Sequence, residues 1–161
     1  MPRFPHDICV GPRSPGRLVR RFARLAIRYV ETRLEGRFRE LDLSFTQWIA
    51  LKVIENGVVS NAGELARELD ITTGATTRLL DTLEAHGLLS RDRTSDDRRV
   101  VNLNLSDAGY EVTHALMPDV VGAWSDIFEG IDQAEADAFL ATLGKLFDRA
   151  ERLVDGKEPV A

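Results

Sequence analysis

Four threonines, a glycine and an arginine crowd together in Thr72-Thr73-Gly74-Ala75-Thr76-Thr77-Arg78, and the stretch is free of charge until Arg78. Short hydroxyls both donate and accept hydrogen bonds. A helix that begins with them is narrow, unrepelled by like charge, and able to enter a groove; an ordinary capped helix start would read the same way. A second polar group, Asp96-Asp97-Arg98-Arg99, places both signs of charge at the tip of a predicted hairpin. Taken alone, it is either a contact element or a solvated turn whose exposed ion pairs contribute little. A third set, Arg17, Arg20, Arg21, Arg24 and Arg28, falls within one arc of a helix at about 100° per residue. That Arg face fits a solvated surface, an acidic partner segment, an anionic ligand or phosphate.

Other chemistry is poorly supported. His6, His86 and His114 are scattered, and Cys9 is the single cysteine. No metal-spaced pair, glycine-rich phosphate loop or nucleophile motif occurs, so no enzyme class, metal or cofactor is expected.

The chain has 161 residues, 43% hydrophobic and 29% charged, which suits one globular domain, or one with extensions. The longest uncharged stretch, Leu43 to Leu51, is far short of the roughly 20 residues that span a bilayer. Met1 to Gly16 holds Pro2, Pro5, Pro12 and Pro15 but no apolar run of the secretory type, so a cytoplasmic protein is expected. Net charge is −5, unevenly spread. Residues 1–40 carry ten arginines against four acids, and residues 106–161 four bases against twelve acids.

Periodicity supplies the elements that hold these groups. Leu18, Phe22, Leu25 and Tyr29 recur at steps of three and four and predict a long helix from Arg17 to Glu40 with this stripe buried. Ser44-Phe45-Thr46-Gln47 is a capping box opening a second helix that Asn56-Gly57 stops. Asn61-Ala62-Gly63-Glu64 repeats the device for a short third helix. The fourth begins at Thr72, buries Leu79, Leu80 and Leu83, and stops at Gly87. Leu88 to Arg91 and Val100 to Leu105 read as two short strands of a hairpin. Two helices close the chain: about Ser106 to Phe128, with Pro118 expected to kink or break it, and one from the box Asp132-Gln133-Ala134-Glu135. Phe139, Leu140, Leu143, Leu146, Phe147, Ala150, Leu153 and Val154 give the last a long apolar stripe suited to another helix or subunit. The fold class expected is mainly α with a small β-hairpin wing. A 1–16 arm precedes a 17–40 helix, a 41–105 helix-turn-helix lobe with wing, and terminal helices over 106–161.

From Leu41 to Gly109 this order of residues strongly resembles the MarR family of bacterial transcriptional regulators. The resemblance is carried by Leu43-Ser44-Phe45-Thr46-Gln47-Trp48, Glu64-Leu65-Ala66, Thr77-Arg78-Leu79-Leu80-Asp81, Leu83-Glu84 and Gly87-Leu88-Leu89. Asp96-Asp97-Arg98-Arg99-Val100-Val101 and Leu105-Ser106-Asp107-Ala108-Gly109 complete it. It implies that the fourth helix enters the major groove of double-stranded DNA with Thr72, Thr73, Gly74, Thr76, Thr77 and Arg78 nearest the duplex. It also implies that Arg99, held by Asp97 and beside Arg98, reaches the minor groove. Thr82, Ala85 and His86 stand where many relatives carry bases, so fewer phosphate contacts and a shallower salt dependence are expected.

The same resemblance implies a homodimer built on the terminal helices, an inverted-repeat operator, and a small-molecule effector of aromatic or anionic type that releases a repressor. Arg24, Arg28, Tyr29, Trp48 and Trp124 are the candidate effector residues, although core packing would account equally for both tryptophans. The hydroperoxide-sensing branch has a cysteine early in the first helix, where this chain has Arg20. A winged-helix protein-interaction module without specific DNA binding is the alternative, and Thr73, Arg78 and Arg99 discriminate between the two.

Overall fold

The computed structural model describes residues 11–92, 101–154 and 156. Its order is α1 (Pro15–Glu40), α2 (Phe45–Glu55), α3 (Ala62–Glu68), α4 (Thr73–Ala85), β1 (Leu89–Asp92), β2 (Asn102–Leu105), α5 (Asp107–Ile127) and α6 (Gln133–Val154). This is the mainly helical architecture with one two-stranded antiparallel hairpin that the periodicity predicts. The chain divides into two compact units, one ending at Ala123 and the other beginning at Trp124.

In the first unit, α1 starts with Pro15 in the first turn, where a missing N–H costs no hydrogen bond. Its buried residues are Ala26, Val30, Leu34 and Phe38. The predicted stripe of Leu18, Phe22, Leu25 and Tyr29 instead remains 40–50% exposed. The two sets lie on neighbouring arcs of the helix, and only the four-residue ladder toward the C-terminal half is covered within one chain.

The cap of α2 forms as the sequence predicts: Gln47 N–H donates to Ser44 Oγ at 3.2 Å, and Ser44 N–H donates to Gln47 Oε1 at 2.6 Å. Gly57, at φ 69°, follows the end of that helix in a conformation that favours glycine. At α3, Asn61 accepts from Gly63 and Glu64 N–H, but the return bond differs. The Glu64 carboxylate accepts from both the backbone and hydroxyl of Ser60, at 2.7 and 2.9 Å, and is held below its ordinary pKa by those bonds.

Trp48, Ala50, Leu51, Ile54, Leu65, Leu80, Leu83, Leu88, Leu89, Leu103 and Leu116 form much of the core. Truncating a fully buried leucine such as Leu51 or Leu80 to alanine would cost about 2–5 kcal/mol. The hairpin pairs Leu89 with Leu105 and Arg91 with Leu103, and Leu103 N–H also donates to Ser60 O at 2.9 Å, which anchors β2 to the start of α3. Ser106 Oγ accepts from Gly109 N–H and donates to Gly87 O, joining the start of α5 to the end of α4. Gly109 is required here, because a Cβ would lie 2.1 Å from Leu88 O.

A charged link ties α2 to α5. Glu55, 10% exposed, lies 2.5 Å from Lys52 Nζ and 2.6 Å from His114 Nε2. Burial pushes this carboxyl up, but hydrogen bonds from Lys52 and His114, with the Lys52 charge, outweigh burial and hold its pKa below the ordinary value.

Pro118 does not break α5, which runs continuously through it. A proline removes one N–H, and both Pro118 and His114, whose carbonyl loses that partner, are exposed residues.

In the second unit, Trp124 and Phe128 lie 6.5 Å apart, and Phe128 meets Phe139 edge-on at 6.0 Å. Gly130, at φ 83°, makes the turn between them. Asp132 Oδ1 accepts from Glu135 N–H at 2.8 Å and Asp132 N–H donates back at 3.4 Å, so the predicted box opens α6. Every named apolar residue of its stripe is exposed, from Leu143 at 41% to Val154 at 86%.

Candidate nucleic-acid interface

The N-terminal turn of α4 is built by Thr72. As N-cap it has extended backbone angles, and its Oγ1 accepts from Ala75 N–H at 3.3 Å. Thr73, Gly74, Thr77 and Arg78 follow on the exposed side of the helix. The Thr77 hydroxyl donates back to Thr73 O at 3.0 Å, leaving its oxygen as an acceptor and its methyl on the surface. The Thr73 hydroxyl and the Arg78 guanidinium make no hydrogen bond or ion pair with any described residue. A Cβ at Gly74 would meet nothing within 4 Å, so packing does not demand this glycine; its effect is to keep the surface low.

Thr76 is a correction. It is 1% exposed, and its hydroxyl donates to Thr72 O at 3.1 Å. The helical period puts it on the face of Leu80 and Leu83, so it packs into the core and cannot touch a ligand in front of the helix. Asp97, Arg98 and Arg99 lie outside the described residues, as does Cys9.

The sequence reading overlooked Arg91. Its Nη2 lies 2.6 Å from Asp81 Oδ1 on α4 and its Nε 3.6 Å from Glu84 Oε2, with the side chain only 18% exposed. Its ladder partner Leu103 is buried, and cross-strand partners share a face. The signal was available: Arg91 stands two residues from Leu89, on the inward parity of β1.

The candidate effector residues fall in both units. Arg24 and Arg28 are exposed on α1, Tyr29 is 41% exposed there, and Trp124 is 39% exposed beside Phe128. Trp48 is a core residue, 5% exposed and stacked on Phe45 at 6.0 Å, because the Phe38–Phe45 edge-on pair lies against it. Its indole N–H has no hydrogen-bond partner among the described residues. An open groove of about 310 Å³ is lined instead by Glu31, Glu35, Phe38, Arg39, Leu43, Ser44 and Phe45. Among the described residues no cluster of three or more His, Cys, Asp or Glu could hold a metal, and no helix is long and apolar enough to cross a membrane.

Helices α3 and α4 in contact, an exposed N-terminal turn on the second, and an antiparallel hairpin directly after it define a winged helix-turn-helix. Residues 43–101 match the model of the MarR family. It is similar to the HTH-type transcriptional repressor YetL of Bacillus subtilis, 31% identical over 86 residues covering 53% of this chain. That match spans about half, 52%, of the relative's length.

A MarR-family transcriptional regulator from Silicibacter pomeroyi is similar in structure, with 27% identity, a TM-score of 0.69, and 91% of this chain and 96% of that one covered. Bordetella bronchiseptica BpsR, whose DNA binding is regulated by 6-hydroxynicotinic acid, shares the fold at 18% identity and a TM-score of 0.68. The alignment with it covers 91% of this chain and 99% of BpsR.

Proposed function

We propose that this protein is a cytoplasmic transcriptional regulator that binds an inverted-repeat DNA operator as a homodimer, acts as a repressor, and is released by a small effector. The observation that carries the reading is the exposed turn of Thr72, Thr73, Gly74, Thr77 and Arg78, whose Thr73 hydroxyl and Arg78 guanidinium lack partners among the described residues, on the second helix of a helix-turn-helix. Such a turn offers hydroxyls and methyls to base edges and a guanidinium to phosphate or guanine. The repressor role is supported by the likeness to YetL, and an aromatic acid effector by the fold shared with BpsR. Asp97, Arg98 and Arg99 are proposed to supply the minor-groove contact.

Sequencing the genomic DNA retained by the purified protein tests this directly. Recovery of an inverted repeat is expected, with half-site centres about 34–36 Å apart for a two-fold dimer. On that duplex Arg99→Ala should weaken binding by about 1–3 kcal/mol. Affinity indifferent to Arg99→Ala and to Arg78→Ala would favour the protein-interaction module instead. Aromatic acids added to the same assay should release the DNA.

A further inference from the structure

We propose that Arg91 is a positioning residue that fastens the hairpin to α4, with Asp81 and Glu84 as its anchors, so that wing and recognition helix meet the duplex as one rigid unit; the proposal rests on the DNA-binding reading.

Asp81 and Glu84 are three residues apart and therefore neighbours on one side of α4. Arg91 reaches both from β1, with Nη2 at 2.6 Å from Asp81 and Nε at 3.6 Å from Glu84. The second distance is an ion pair but exceeds a hydrogen bond, and the buried Nε has no hydrogen-bond partner among the described residues. The carboxylates are 57% and 45% exposed, whereas Arg91 is 18% exposed. The cation is thus enclosed and the anions are half in water, which distinguishes this contact from the mobile surface pairs that contribute little.

Arg78, three residues before Asp81 on the helix, makes no ion pair with it, so among the described residues Arg91 is the base paired with these two acids. A forked guanidinium can address two carboxylates at once; an ammonium is a single point.

The sign of one substitution separates this role from the obvious alternatives. Asp81→Asn removes a negative charge from the helix that faces a polyanion. By charge alone it should tighten DNA binding, and it should do so again if Arg91 were a phosphate contact restrained by Asp81. A clamp requires the opposite, because its anchor is lost.

The experiment is anisotropy titration of the full-length protein with the duplex it retains, at several salt concentrations. Hydrogen exchange of the β1–β2 ladder amides and thermal midpoints are measured on the same samples. Asp81→Asn is expected to weaken binding by about fivefold or more and to speed ladder exchange. Arg91→Gln should weaken binding with an unchanged salt slope, whereas a lost phosphate contact lowers that slope by about one. Arg91→Lys should recover little.

Tighter or unchanged binding by Asp81→Asn overturns the proposal, as does a lowered slope in Arg91→Gln. Should Arg91→Gln fail to fold, Asp81→Asn, at a half-exposed position, decides alone. If the wild-type protein retains no duplex, the DNA-binding reading fails. Ladder exchange then still judges the clamp, and an unchanged rate in Asp81→Asn overturns it.

Discussion

At the scale of single residues, neighbouring threonines of α4 have opposite fates. Thr76 is 1% exposed and its hydroxyl is used by Thr72 O, while Thr77 one position on is exposed. Composition cannot separate them; a helical rotation of about 100° per residue does. Thr76→Val is therefore expected to leave operator affinity within about twofold, since nothing on the surface changes, while Arg78→Ala should cost about 1–3 kcal/mol of binding. Anisotropy titration on one duplex checks both, and a Thr76→Val protein that folds normally yet loses the operator would contradict the placement. Trp48 carries a similar lesson. An aromatic ring with an N–H is chemically suited to a ligand, but Trp48 is buried in the core and stacked on Phe45.

At the scale of elements, the link between α2 and α5 should control acid stability. Glu55 has a lowered pKa in the folded protein, because hydrogen bonds from Lys52 and His114 with the Lys52 charge outweigh its burial. A carboxyl depressed on folding stabilises the protein fully above its unfolded pKa, and that contribution is lost as pH falls through the folded value. Glu55→Gln should therefore lower stability at neutral pH by about 1–3 kcal/mol and flatten the decline on acidification. Urea midpoints from neutral pH down through the carboxylate range check this. An acid limb as steep in the variant as in the parent would assign the decline to other carboxylates.

The helix starts at Ser44, Asn61, Thr72 and Asp132 were legible in the sequence, because a cap is a local match between a side chain and amides two or three residues away. What was not legible depended on distant partners. Pro118 reads as a breaker until its exposed surroundings are known, and the Arg91 pairs with Asp81 and Glu84 join an element pair that no local spacing announces. The choice of buried face on α1 was missed for the same reason. Periodicity finds one apolar arc, and only the packing of other elements says whether that arc or its neighbour is covered.

At the scale of the whole molecule, a single copy leaves too much apolar surface in water. Leu18, Phe22, Leu25 and Tyr29 on α1, and Leu140, Leu143, Leu146 and Phe147 on α6, are all at least 40% exposed. Soluble monomers rarely show contiguous apolar faces of this kind. A two-fold dimer would cover them and present two recognition helices to one face of DNA. Charge offers a second term. Arg20, Arg21, Arg24 and Arg28 make no hydrogen bond or ion pair with a described residue, and the last third of the chain carries twelve acids against four bases. We expect those arginines to meet acids of a second copy such as Asp126, Glu129 or Asp137. The double variant Arg21→Glu with Arg24→Glu should then raise the dimer dissociation constant by about tenfold or more at low salt, and by less as screening shortens the reach of charge. Leu143→Glu, which attacks the apolar term instead, should weaken the dimer at every salt concentration. Sedimentation across a dilution series distinguishes the two. If the arginine reversal leaves the low-salt constant unchanged while Leu143→Glu dissociates the dimer, the apolar faces alone hold the copies together, and the Arg face of α1 is left for solvent, effector or phosphate.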